Sequence, residues 1–182
     1  MKKRIIILGA VVLLVILGAS GAWFYASGIV RQEIERLAFA DGETSPQVTC
    51  ANLNIGGFPF AFDIDCSDAV VVSGDLMAEV PDVRVSVMVY DFNHVLASAK
   101  GPAQLSDAFT GQRSAISWTA LNASLRLTDN RIARLSVVGD EISWNDLLLG
   151  DTVLAKAEHA EAHLLDIPEA HDAERNLASL AL

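Results

Sequence analysis

The chain has 182 residues, is 52% hydrophobic and carries a formal net charge of −10. Lys2, Lys3 and Arg4 open it; taking these three from the 13 Lys+Arg leaves 10 against 23 Asp+Glu, or −13 for the remainder. An acidic body repels phosphate backbones, which argues against nucleic acid as a partner, and it gains little overall from anionic lipid headgroups.

The first predicted element is a helix. Ile5 to Ala26 contains no charged residue, and 22 residues rising about 1.5 Å each cover about 33 Å, enough for a hydrocarbon core of roughly 30 Å. Trp23, Phe24 and Tyr25 stand at its far end, where aromatic rings favour the membrane–water boundary. The basic residues Lys2, Lys3 and Arg4 are expected to stay cytoplasmic, which places the body of the chain in the periplasm, anchored to the inner membrane of a bacterium. The rival reading is a cleaved signal peptide with Ser20-Gly21-Ala22 as the small-residue site. Cleavage there would leave an apolar terminus and break a pattern that continues: Val30, Ile34, Leu37 and Ala38 recur at helical spacing, with Arg31, Glu33 and Glu35 off that face. The domain reading is therefore 1–30 for the basic start and span, 31–45 for a juxtamembrane helix and linker, and 46–182 for a β domain.

The only two cysteines, Cys50 and Cys66, flank a turn made of Gly56, Gly57, Phe58, Pro59 and Phe60. Glycine and proline supply turn geometry there. Phe60, Phe62 and Ile64 alternate with Ala61, Asp63 and Asp65 on the outgoing arm, as in a strand. A hairpin folded about Phe58 sets Cys50 opposite Cys66, and an oxidising compartment lets them pair. The same register sets Leu53 opposite Asp63, a mixed pairing that a bulge near Gly56-Gly57 would repair. A redox role is disfavoured by a spacing far from Cys-x-x-Cys.

Period-two runs continue down the chain: Val83 to Val89, Leu121 to Leu127, Ala133 to Val137, and Ile142 with Trp144. Ser73-Gly74-Asp75, Pro81-Asp82, Gly101-Pro102, Asp129-Asn130, Gly139-Asp140 and Gly150-Asp151 read as the turns that bound them. Nine or ten short strands without intervening helices predict a mainly β fold, a curved antiparallel sheet with one apolar and one polar face. Phe60, Phe62, Ile64, Val85, Val87, Leu125, Leu135 and Trp144 are the expected core. The stretch from Leu154 to Pro168 fits a last strand or a helix, and the alanine-rich remainder permits a short helix. The apolar ending Leu177 to Leu182 reads as a sign that more sequence followed, or that this end docks on something.

Chemistry-bearing motifs are sparse. His159, Glu161 and His163 would share one face of a strand, an arrangement able to hold a metal but more often a solvated edge. Asp63, Asp65 and Asp68 suggest calcium only weakly, since alternate carboxylates usually solubilise a strand. His94 has no partner nearby in sequence. No nucleophile elbow frames a serine, and no glycine-rich loop precedes a helix. Neither a cofactor nor a resident metal is expected.

The basic start, the single span, "CANLNIGGFPFAFDIDC", "NHVLASAKGPA" and "SWTALNASLRL" together resemble a bacterial membrane-anchored family catalogued as a domain of unknown function (number twenty-one twenty-five). The likeness covers most of the chain, and Gly57 to Phe60 between the two cysteines is its most specific part. It supplies no catalytic residues, and it implies longer members, of which this chain would be a short version. A looser, architectural likeness is to AsmA-type envelope proteins, which implies a long curved sheet carrying lipid along an apolar groove. The expected role is a structural or envelope-assembly function without enzymatic activity, with an envelope protein as partner. The alternative is a lipid-binding or lipid-transfer domain. Open space beside the apolar strand faces would favour the second, and a filled core the first.

Overall fold

The computed structural model describes residues 2–128, 131–148, 150–166 and 180–181. Helix α1 runs unbroken over Lys2–Leu37. Its uncharged first part touches nothing: Ile5, Leu8 and Leu14 are each more than 60% exposed. From Trp23 onward it serves the sheet. Trp23 is buried, and Ala26, Ser27, Val30, Ile34 and Ala38, spaced three or four apart, are half-buried, the stripe of a helix lying against β1 (Gln47–Gly56). Arg36 pairs with Glu33 at 2.7 Å on the outer side. The helix is long and apolar enough to cross a membrane once.

The connection to β1 is pinned. The Asp41 carboxylate accepts backbone N–H bonds from Glu43, Thr44 and Ser45 at 3.0–3.1 Å, the local bonding that favours Asp in turns. Gly74 N–H donates to the Gly42 carbonyl at 2.6 Å. This ties the linker to the end of the sheet opposite the Gly57–Phe60 turn.

The strands after β1 are β2 (Ala61–Ser73), β3 (Leu76–Met88), β4 (Asp91–Lys100), β5 (Ala103–Asp107), β6 (Arg113–Ser117), β7 (Ala120–Thr128), β8 (Arg131–Asp146), β9 (Thr152–Asp166) and β10 (Leu180–Ala181). All pair antiparallel in one sheet. Its order, β1-β2-β3-β4-β7-β8-β6-β5 with β9 on β8 and β10 on β9, looks complex but is a simple meander. β3 pairs with β4 through Asp82 to Met88 and with β5 through Leu76 to Glu79. β8 pairs with β7 and then with β6 in the same way. So β4 with β5, and β6 with β7, are each one long strand interrupted once.

Those interruptions line up. Ala51 and Asp68 have no ladder partner between β1 and β2, nor do Asp68 and Pro81 between β2 and β3, nor Glu141 and Glu158 between β8 and β9. Gly101-Pro102 separates β4 from β5, and Trp118-Thr119 separates β6 from β7. A transverse crease therefore crosses the sheet. Asp68 (φ 49°) and Glu141 (φ 52°) adopt left-handed backbone on it. Pro81 and Pro102 bring no N–H to the ladder, and unpaired residues of this kind bend a strand and re-aim its side chains. The turn chemistry at Pro81-Asp82 and Gly139-Asp140 thus marks the crease inside β3 and β8, not strand ends. Asp129-Asn130 lies outside the described residues.

The expected register is corrected, and of the two alternatives for the tail the strand is found. Leu53 faces Cys66 and Ile55 faces Ile64, because the hairpin folds between Pro59 and Phe60 and not about Phe58, which shifts every opposite partner by three residues. Leu154 to Asp166 is strand β9. A short carboxy-terminal helix would fall on residues outside the described ones.

The expected core is not a core. Among the described residues no large side chain is fully buried; Phe62 is buried, but Phe60 is 69% and Trp144 41% exposed. Ile64, Val85, Val87, Leu125 and Leu135 are half-buried. Phe60 belongs to the turn, one residue before β2 begins, and no second layer covers Trp144.

Candidate functional site: an uncovered apolar face beside the membrane helix

Residues directly opposite in neighbouring strands share a face. The register therefore draws rows across the sheet. Phe62, Val87, Val95, Leu125, Leu135 and Leu164 form one; Ile64, Val85, Ala97, Ala123, Val137 and Ala162 form the next. A third runs Cys66, Val83, Ala99, Leu121, Gly139 and Ala160. One face is apolar throughout, and its middle is floored by alanine and glycine. The rows span about 24 Å at roughly 4.8 Å per strand. The other face carries Asp65, Arg84, Ser98, Asn122, Val138 and Glu161 in one row, polar but for Val138.

Helix α1 covers only the first hairpin of the apolar face. Trp23 stacks on Phe62 (ring centroids 5.6 Å apart, 6° between planes) and its Nε1–H donates to the Ala61 carbonyl at 3.0 Å. Beneath the helix, Phe62, Cys66 and Ala69 are buried. Beyond β2 no apolar side chain of the three rows is buried. A sheet with an apolar face normally packs it on another layer. Here, among the described residues, the five strands of these rows beyond β2 have none.

The crease bounds this floor. Trp118 Nε1–H donates to the Ala99 carbonyl at 2.8 Å and its ring lies against Gly101, where a Cβ would stand 3.2 Å from the indole. A Cβ on Gly139 would come within 2.8 Å of Ile142 Cδ1. Sequence reading took Gly101 and Gly139 for turn residues and gave Trp118 no role; breakers placed mid-strand, where pairing resumes on both sides, were the available signal.

The turn between the cysteines joins helix to sheet. Cys50 and Cys66 are bonded, with Cα atoms 5.4 Å apart, although Cys50 stands opposite Ala69 and Cys66 opposite Leu53. The bond crosses the crease diagonally. Gly56 ends β1; Gly57 has φ +89°, and a Cβ there would meet the Ala61 carbonyl oxygen at 2.7 Å, so only glycine fits. The Phe58–Pro59 peptide is cis. Phe58 meets Trp23 edge-on at 5.4 Å and Phe24 at 5.9 Å. Of the aromatic trio at the helix end, Trp23 turns into the domain, while Phe24 and Tyr25 are 64% and 74% exposed. Lys2, Lys3 and Arg4 sit at the helix start, far from the sheet.

The polar face holds the other candidates. Asp65 pairs with Arg84, Asp63 accepts from the Ser86 hydroxyl, and Asp68 is exposed on the crease, so the three carboxylates do not converge. His159 and His163 flank Glu161, with Glu161 Oε1 2.8 Å from His159 Nε2 and Oε2 3.0 Å from His163 Nε2; His159 Nδ1 is 2.6 Å from Asp140. Glu161 first, then Asp140, holds the His159 imidazolium above its ordinary range, and the two histidines hold Glu161 below its own. Among the described residues no three such side chains are grouped to hold a metal ion.

A family model described as an uncharacterized protein conserved in bacteria (DUF2125) matches residues 23–182. The match begins at Trp23, so the half of the helix that packs on the sheet is included. No curated protein matches the chain.

Proposed function

This chain belongs to the bacterial family DUF2125, and on that premise we propose that it is a single-pass membrane protein whose sheet binds the acyl part of a lipid on its apolar face, without catalysing a reaction. One observation carries this: beyond β2 the apolar rows have no covering layer among the described residues. Exposed apolar surface on this scale marks a binding surface, and each methylene removed from water onto it contributes roughly 0.8 kcal/mol. An acyl chain is the occupant because the lipid is at hand. The face starts at the membrane helix, with Trp23 on Phe62. The sheet end beside Trp23 also shows Phe58, Phe60, Tyr90 and Phe92, each 49–77% exposed, residues suited to a membrane surface.

Orientation follows from charge and sulfur. Lys2, Lys3 and Arg4 favour the cytoplasmic side, leaving the sheet in the periplasm of an inner-membrane protein. A Cys50–Cys66 bond suits that oxidising space. The non-catalytic reading is supported by the lack of a nucleophile elbow in the sequence and by the mutual pairing of the His159, Glu161 and His163 side chains.

The test uses the full chain extracted in mild detergent, with native mass spectrometry for bound lipid and labelled-lipid transfer between vesicles. Bound lipid and transfer are expected, and Ala123→Glu, a charge placed mid-floor, is expected to abolish both while the fold persists by circular dichroism. Recovery free of lipid, with no transfer, overturns the proposal. A second reading, envelope assembly, is favoured by β1, which pairs on one side only among the described residues and leaves Asn52 and Asn54 exposed; an open edge is a template for another strand. A cross-linker at Asn52 that captures one defined envelope protein, in a chain free of lipid, would establish it instead.

A further inference from the structure

We infer that Arg126 and Arg134 form a binding site for a phosphate group, supplied by the headgroup of an anionic lipid, on the polar face of the sheet at its membrane-facing end. The inference rests on the proposed function for which end meets the membrane. The two arginines stand directly opposite each other on β7 and β8. Opposed residues hold their Cβ atoms roughly 5 Å apart, and like charges so placed repel. An acidic body offers many carboxylates to relieve this, and other cations use them: Arg84 pairs with Asp65 and Lys100 with Asp82. Arg126 and Arg134 are exposed, and neither is ion-paired with a described residue.

The surroundings are those of an anion site. Across β4, β7, β8 and β9 their row reads His94, Arg126, Arg134, Leu165, and the next row inward reads Leu96, Ser124, Ser136, His163. Neither row holds a carboxylate between those strands. The His94 ring and the Ser124 hydroxyl are hydrogen-bonded to each other at 3.0 Å. The register shifts next to the pair, between Arg126 and Leu127, and such bulges re-aim side chains. Guanidinium forks carried at opposite positions on adjacent strands suit a phosphate, which accepts bidentate bonds from each.

Position selects the headgroup. Strands alternate direction, so the β7–β8 tip lies at the same end as the Gly57–Phe60 turn and Trp23, about 14 Å across the sheet from β2 at roughly 4.8 Å per strand. Only the Leu127–Ile132 and Thr128–Arg131 pairs separate the arginines from that tip. Leu125 and Leu135, their neighbours in sequence, point to the apolar face. A lipid straddling the tip would therefore meet cations on one side and the acyl-binding rows on the other. Net charge concealed this pair, because the body is acidic on average.

The experiment uses the full chain in neutral detergent. Native mass spectrometry measures competition between phosphatidylglycerol and phosphatidylcholine, while glycerol 3-phosphate and inorganic phosphate are titrated separately against the arginine Nε–Hε resonances. Phosphatidylglycerol is expected to be preferred by about thirtyfold, the scale two interfacial arginines supply. The preference should vanish in Arg126→Gln/Arg134→Gln and persist in Arg113→Gln, a change at the far end of the sheet. Glycerol 3-phosphate should shift the Arg126 and Arg134 resonances. Equal binding of the two lipids by the parent chain, a preference that survives the double change, or glycerol 3-phosphate leaving both arginine resonances unmoved overturns the inference. A response to inorganic phosphate without preference for phosphatidylglycerol overturns the headgroup assignment. Should Ala123→Glu leave the glycerol 3-phosphate shifts intact while the parent chain holds no acyl lipid, the site stands and the acyl-binding reading falls alone.

Discussion

Trp23 belongs to the long apolar helix and to the sheet at once. Its ring rests on Phe62 and its N–H serves the Ala61 carbonyl. Trp23→Phe keeps most of the ring contact and leaves that carbonyl without its donor, at about 1–3 kcal/mol; Trp23→Ala also empties the site, at about 3–5 kcal/mol. For a body of this size each kcal/mol lowers the melting temperature by roughly 2–4 °C, so a thermal melt should rank parent, Phe and Ala in that order. An unchanged melt for Trp23→Ala would show that helix and sheet are not joined there. His159 gives a second expectation. Its raised pKa means that whatever it adds to stability is complete below the unfolded value of 6.5 and is lost as pH rises through the folded value. NMR titration should find its midpoint above 6.5, falling towards it in Glu161→Gln. At this scale the cysteine pair was legible, because two cysteines flanked an obvious turn. The burial of Trp23 was not. Helical spacing shows which residues share a face, but nothing local tells an interfacial tryptophan from one that meets a strand 38 residues away.

At the scale of elements, alternation of side chains announced the strands, and turn residues announced where pairing stops. They did not distinguish a hairpin from a crease. Pro81 and Gly139 break period two as a turn would, yet β3 and β8 run through them because their neighbours resume pairing on both sides. The later turn, not a change of register, replaces the Leu53–Asp63 pairing of a fold about Phe58 with Leu53–Cys66, since the pairing is in the same register on both sides of the break at Ala51 and Asp68. The Cys50–Cys66 bond spans this break with a sequence separation of 16, and closing such a loop is worth roughly 3 kcal/mol in the chain-entropy picture. Reducing the protein should therefore lower its melting temperature by several degrees, with the Cys50→Ser/Cys66→Ser chain insensitive to reductant. Equal melts with and without reductant, together with two thiols open to alkylation before reduction, would count against the bond.

On the scale of the whole molecule, one apolar helix continues into a domain that, among the described residues, has a single layer over most of its width. The mainly β class, the helix and the two-faced sheet were readable from patterning. That no described residue covers the apolar face beyond β2 was not, since Val85, Leu125 and Leu135 alternate in the same way whether they face a second layer or nothing. If the helix holds the sheet beyond the cytoplasm, a reporter that needs an oxidising compartment, fused after Leu182, should be active, and one that fluoresces only inside should be dark; the opposite pattern would remove the periplasmic assignment and the setting for the disulfide together.

Adjacent positions on β7 test the open face most directly. Ala123 lies on the apolar side and Ser124 on the polar side. A photo-cross-linking residue placed at one or the other in the full chain, in native membranes, should yield a lipid adduct from position 123 and little or none from position 124. Adducts equal at both positions, or absent from 123, would contradict an acyl chain resting on that face.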